Sequence, residues 1–187
     1  SSMFSLGNNV YLTLYRNRLT IQRPEKKAIS PIPLSLPTTL SIPALGVQVT
    51  VREITGEVKS KHIDFKSLPP NEAYLDLSKY AGKKPLTLRS REDGDRIHPL
   101  GMPESIKLKR LLNNREISRF DRDNILLLAA EDEILWAVGV EVSETVKIKR
   151  YPTHHMVIKP IETSMMPETP SNELTPLFPL PVALSLR

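Results

Sequence analysis

Not one of the 187 residues is cysteine. Disulfides, thiolate zinc sites and cysteine nucleophiles are therefore excluded, and the absence fits a reducing compartment. Glycine is scarce too. Only seven occur, at positions 7, 46, 56, 82, 94, 101 and 139, and no two lie closer than seven residues. A loop that cradles phosphates needs several glycines together, so that backbone N–H groups can approach the oxygens. This sequence has no such loop. No apolar run approaches the ~20 residues that span a bilayer. The opening SSMFSLGNNVYLTLYRNR lacks the basic start, continuous apolar stretch and small-residue cleavage site of a secretory signal. The expectation is a cytoplasmic protein without a membrane partner.

What is present is a local excess of positive charge. From Lys83 to Arg122 there are eleven Lys/Arg against six Asp/Glu, a net +5, which equals the net charge of the whole chain. The remaining residues sum to zero. Charge concentrated in one patterned stretch is the footprint of a polyanion-binding surface. Seventeen prolines are the other excess, clustered at Pro24 to Pro43 and at Pro160 to Pro181.

Alternation of apolar and polar residues over 10–15 and 19–23 predicts a hairpin. Proline punctuates 28–43, which reads as an extended connection or edge strand. Val47, Val49 and Val51 mark a strand, and Ala73 to Leu77 another. Leu86 and Leu88 place Thr87, Arg89 and Arg91 on the opposite face of a further strand. A turn at Glu92-Asp93-Gly94-Asp95 follows. A helix is expected from about Ser105 to Arg115, with Leu108, Leu111 and Leu112 as its apolar stripe. Lys107, Arg110 and Asn114 share an adjacent polar face, and Lys109 lies on the other flank. Strands are expected at 125–130, 134–140, 145–150 and 155–159. The class is α+β: short strands in a sandwich or barrel-like sheet, with one short basic helix. Three parts follow: a β-rich connecting segment (1–72), a C-terminal nucleic-acid-binding domain (73–161) and a Pro-rich tail (162–187) without fixed structure.

Arginine suits phosphate because its planar fork donates two parallel hydrogen bonds and keeps its charge. Arg89, Arg91 and Arg96 flank the Gly94-Asp95 turn. Their alternative role is local neutralisation by Asp93 and Asp95, which would only fix the turn. Lys107, Lys109 and Arg110 form a second basic group. No acidic residue stands three or four positions from Lys109 or Arg110, so self-neutralising helix pairs are missing there. With few aromatics nearby, phosphate and groove contacts with helical RNA fit better than base stacking. The four histidines are isolated or, at His154-His155, adjacent on a strand and so point to opposite faces. No metal site is expected. There is no Gly-x-Ser-x-Gly elbow, and the paired carboxylates sit in turns, so no catalytic constellation is visible. Trp136 reads as core.

In order and spacing, residues 74–160 resemble the C-terminal region of bacterial tRNA(Ile)-lysidine synthetase. The resemblance is carried by Leu86 to Arg91, Gly94-Asp95-Arg96, Pro99 to Gly101, Lys107 to Lys109, Arg122 and Trp136 to Gly139. The sequence departs from the family pattern at Phe120, Asn124 and Glu104-Ser105-Ile106. The resemblance implies a parent enzyme that uses ATP, with magnesium, to join lysine to the wobble cytidine of tRNA(Ile). That chemistry belongs to an N-terminal pyrophosphatase-type domain carrying a Ser-Gly-Gly-x-Asp-Ser loop, which is not found here. The implied partners are tRNA(Ile), gripped by its acceptor stem, and the N-terminal catalytic domain; a homodimer is allowed. The expected RNA-binding residues are Arg89, Arg91, Arg96, Lys107, Lys109, Arg110 and Arg122, with Gly94 and Asp95 as the structural turn. No cofactor is expected in this stretch itself. The rival reading is a basic module that docks on an acidic protein surface without touching RNA.

Overall fold

The structure, a computed structural model, describes residues 2–7, 10–15, 18–22, 28–55, 63–117 and 119–161. The expected tail at 162–187 lies outside them. Strands β1 (Ser2–Gly7), β2 (Val10–Tyr15) and β3 (Arg18–Gln22) form an antiparallel meander. The predicted hairpin is its second half.

Two further sheets enclose the main core. One has the order β10-β9-β12-β11-β8-β4, with β13 also on β12. It is built from β4 (Ile32–Leu34), β8 (Leu86–Arg89), β9 (Arg96–Ile97), β10 (Ile106–Lys107), β11 (Leu127–Ala130), β12 (Glu133–Ala137) and β13 (Glu141–Val142). The other runs β5-β6-β14-β7, from β5 (Thr38–Ile42), β6 (Val47–Glu53), β7 (Glu72–Leu75) and β14 (His154–Pro160). The expected boundary at 72 is not a break between sheets, because β6 pairs with β14 from Val47↔Pro160 to Glu53↔His154.

Alternation explains this layering. Val47, Val49 and Val51 on β6, with Met156 and Ile158 on β14, face Leu86, Leu88, Leu128 and Trp136 across the main core. In β11 both faces are apolar, and the second face is covered as well. There Leu127 and Ala129 meet α1 (Leu108–Asn114) through Leu108, Leu111 and Leu112. The seven-stranded sheet is thus sandwiched between a sheet and a helix, in agreement with the predicted α+β class.

Two expected elements differ. The helix starts at Leu108 rather than Ser105, because Ile106 and Lys107 pair with Ile97 and Arg96 as β10. Backbone bonding of a β-branched residue to a neighbouring strand outweighs its place on the helical wheel. The strand expected at 145–150 is a 3-10 turn at Glu144–Val146, capped by Ser143.

His154 lies on the inner side of β14, 5% exposed, with Nδ1 2.9 Å from Thr153 Oγ1. Burial lowers its pKa, and the nearby Glu53 and Asp76 carboxylates only partly offset this. The unfolded chain therefore takes up this proton more readily. Stability should fall as the pH drops through about 6.5, the unfolded value, towards the lower folded one. Urea midpoints at pH 7.5 and 5.5 should differ less in a His154→Gln variant than in the parent; equal differences would show that His154 contributes nothing.

Candidate nucleic-acid interface

The seven cations expected at the site separate into two groups. Arg89 is buried (7% exposed) on the helix-facing side of β8, opposite Leu127. Its guanidinium donates to both Asp95 oxygens, at 3.0 Å from Nη1 and 2.7 Å from Nη2, and Nη1 also donates to the Ser90 carbonyl. The hydrogen bonds that Asp95 accepts hold the Arg89 pKa above its ordinary value, against burial. Asp95 Oδ2 also accepts the Glu92 N–H at 2.8 Å, closing the turn at Gly94, whose φ is +96°. The pair is a structural clasp.

Arg91 and Arg122 are likewise engaged. Arg91 Nη2 donates to Asp123 at 2.8 Å, Nη1 lies 3.7 Å from Asp93, and Nε is buried without a partner among the described residues. Arg122, on α2 (Arg119–Arg122), closes the far end of α1. That end is a Schellman arrangement, with Ile117 N–H on the Leu112 carbonyl and Glu116 N–H on that of Asn113. Glu116 takes the left-handed φ of +54° that glycine usually supplies. Arg122 donates to the Ile117 carbonyl at 2.8 Å and to the Asn113 side chain, placing a cation where the helix dipole favours it. Desolvation, then the neighbouring Arg91, lowers its pKa. Of the strand-borne basic surface expected at Arg89 and Arg91, both side chains are engaged locally, by Asp95, Asp93 and Asp123.

Arg96, Lys107, Lys109 and Arg110 remain, all exposed and none in an ion pair with the described residues. Arg96 and Lys107 stand directly opposite each other on β9 and β10. Like charges so placed destabilise a sheet. Arg96 is steered by Ser105, donating from Nε to Oγ at 3.2 Å and from Nη2 to the carbonyl at 2.6 Å. Its other register neighbour, Glu133, is held by the Tyr80 hydroxyl at 2.9 Å. Lys107 is the N-cap of α1, and Lys109 and Arg110 lie in its first turn, with no acidic residue there. Cations at a helix N-terminus oppose the dipole, and Lys107 makes no capping bond with its side chain. Two local rules are broken by the same four residues.

Beside Arg96 lies an open depression of about 310 Å³, lined also by Lys84, His98, Ser105 and the acidic turn 131–133. The steering role of Ser105 and the opposition of Arg96 to Lys107 escape the sequence reading. Taking 98–105 as a hairpin connection, rather than as the approach to a helix, would reveal both. Among the described residues no three His, Asp or Glu side chains gather closely enough to hold a metal ion, and no helix is long and apolar enough to cross a membrane.

Comparison with known proteins gives a consistent picture. The TilS substrate C-terminal domain matches residues 86–157. A tRNA(Ile)-lysidine synthase of Symbiobacterium thermophilum is 36% identical over 108 residues, covering 58% of this chain and 21% of that protein. That of Caldanaerobacter subterraneus subsp. tengcongensis is 31% identical over 153 residues, covering 79% of this chain and 30% of that protein. The chain thus spans less than a third of the length of these relatives. A crystal structure of a TilS C-terminal domain shares the fold, with a TM-score of 0.50 at 23% identity over 70% of this chain and 95% of that one.

Proposed function

We propose, because residues 86–157 match the TilS substrate C-terminal domain, that this chain is the part of a tRNA(Ile)-lysidine synthase that grips the tRNA. The observation that carries this reading is the exposed strip Arg96, Lys107, Lys109 and Arg110, which has no ion-pair partner among the described residues. Its charges are placed against local stability, opposite one another on paired strands and at a helix N-terminus. A bound polyanion relieves both penalties at once. Ammonium and guanidinium groups on a short hairpin and helix suit the phosphates of a base-paired stem, which supports the acceptor stem as the segment held.

In this reading the whole protein joins lysine to the wobble cytidine of tRNA(Ile) with ATP, in the cytoplasm. In this reading ATP, its magnesium and the glycine-rich loop that cradles phosphates belong to another part of that protein. Those groups would be held by the N-terminal catalytic domain, the second partner, while this region fixes the substrate's distance and orientation.

The test is a salt titration of the chain with a tRNA(Ile) transcript. Four phosphate contacts predict a slope of log K against log salt of roughly −3 to −4, and Arg96→Ala or Lys107→Ala should each flatten it by about 0.9. Absence of binding at about 50 mM salt, a low-salt condition chosen to favour contact, would sink the reading and favour docking on an acidic protein surface.

A further inference from the structure

The connection between β9 and β10, residues 98–105, presents two apolar side chains to water. Leu100 is 44% exposed and Met102 43%. Single exposed apolar residues are ordinary on protein surfaces. This pair differs in how rigidly it is displayed. Met102 N–H donates to the Pro99 carbonyl at 3.1 Å, and the Met102 carbonyl lies 2.6 Å from His98 Nε2. Gly101 N–H donates to Glu144 Oε2 at 2.8 Å, and Glu144 N–H to the His98 carbonyl at 2.7 Å. Pro99 forms a bridge with Ser143, whose hydroxyl donates to the His98 carbonyl. Gly101 has the φ of +74° that the reversal between the two side chains requires. A loop with so many polar bonds cannot fold its apolar tip away, so the ordering entropy of that tip is spent before any partner arrives.

At the base of the same hairpin stand Arg96 and Lys107, with Lys109 and Arg110 just beyond. Apolar tip and cationic base therefore belong to one unit. A duplex side offers phosphates but no broad apolar face, its shallow groove being lined by hydroxyl-bearing sugars and base edges. A duplex end offers both: the flat face of the terminal base pair, and phosphates along the two strands leading to it. We infer that Leu100 and Met102 pack on the exposed face of the terminal base pair of an RNA duplex whose phosphates Arg96 and Lys107 hold. This rests on the RNA-binding reading above. It extends that reading by assigning recognition of the duplex end to residues that carry no charge.

The experiment compares two RNAs of identical stem sequence, a hairpin with one open blunt end and a dumbbell closed by loops at both ends. The chain should bind the open hairpin about tenfold more tightly, the scale set by removing part of two apolar side chains from water. In a Leu100→Ser/Met102→Ser variant that preference should vanish while dumbbell affinity stays within about twofold. The variant's thermal midpoint, unchanged because both sites are exposed, serves as the folding control. Equal affinity of the parent for both RNAs overturns the inference while leaving the phosphate-binding reading intact. A preference that survives the double substitution overturns it as well. Failure to bind either RNA at low salt overturns this inference and the RNA-binding reading together.

Discussion

An Asp95→Asn variant is expected to lose about 3–5 kcal/mol of folding stability, the cost of leaving one member of a buried ion pair uncompensated. The substitution is nearly isosteric, so the loss is electrostatic. Arg89 presents Nη1 and Nη2 as two parallel donors to the two carboxylate oxygens. An amide offers one acceptor and turns its NH₂ towards a donor, leaving a guanidinium in a site where both side chains are 7–8% exposed. The Glu92 N–H loses its anionic acceptor too, loosening the turn that also delivers the Asp95 carbonyl to Leu108 N–H at 2.8 Å. At roughly 2–4 °C per kcal/mol for a chain of this size, the thermal midpoint should fall by about 10 °C. Urea unfolding measures the loss directly, and a change below about 1 kcal/mol would show that solvent reaches the pair in the folded state. Replacing both partners, as Arg89→Met/Asp95→Leu, should recover much of the loss, because no charge then remains to be desolvated.

The contrast between Arg89 and Arg96 shows where sequence reading works and where it stops. Strands at Val47–Glu53, Leu86–Arg89 and Leu127–Ala130 are legible because their period and composition match half-buried or fully buried strands. Alternation puts Arg89 correctly on the face of β8 opposite Leu86 and Leu88, but the expected binding role required that face to meet solvent. The sequence holds a signal against this. ILLLAA is apolar at every position, so the sheet containing β11 must be covered on both sides, and a strand paired with it shares that cover. Arg89, opposite Leu127, is bound to be enclosed and so to need Asp95. The helix start cannot be read this way. Whether Ile106 and Lys107 join a helix or a strand depends on Ile97 and Arg96 offering backbone partners nine and eleven residues away, and no local period records that. Arg91 and Arg122 are likewise legible as cations, and Asp93 as a local partner of Arg91, but Asp123 and Asn113 are not, because they reach these cations only through tertiary folding.

The charge-reversed pair Lys109→Glu/Arg110→Glu should weaken tRNA binding about 100-fold near 0.1 M salt, since each reversal removes one phosphate contact and adds a repulsion. The same variant should fold as well as the parent or slightly better. Both side chains are exposed and without ion-pair partners among the described residues, and glutamate is as good a helix former as the residues it replaces. Both positions lie in the first turn of α1, where the dipole favours an anion by about 0.3–1 kcal/mol, and no acidic residue now occupies that turn. Affinity and stability are thus predicted to move in opposite directions, which distinguishes a binding surface from a structural one. A gel-shift titration run beside a thermal melt reads both. Affinity lost together with several degrees of thermal midpoint would place these residues with Arg89 as parts of the scaffold. Affinity unchanged would place the polyanion elsewhere. The roughly 100-fold factor should also shrink as salt rises, because each released counterion then gains less entropy, whereas the deficit of the Asp95→Asn variant, arising inside the core, should be nearly independent of salt.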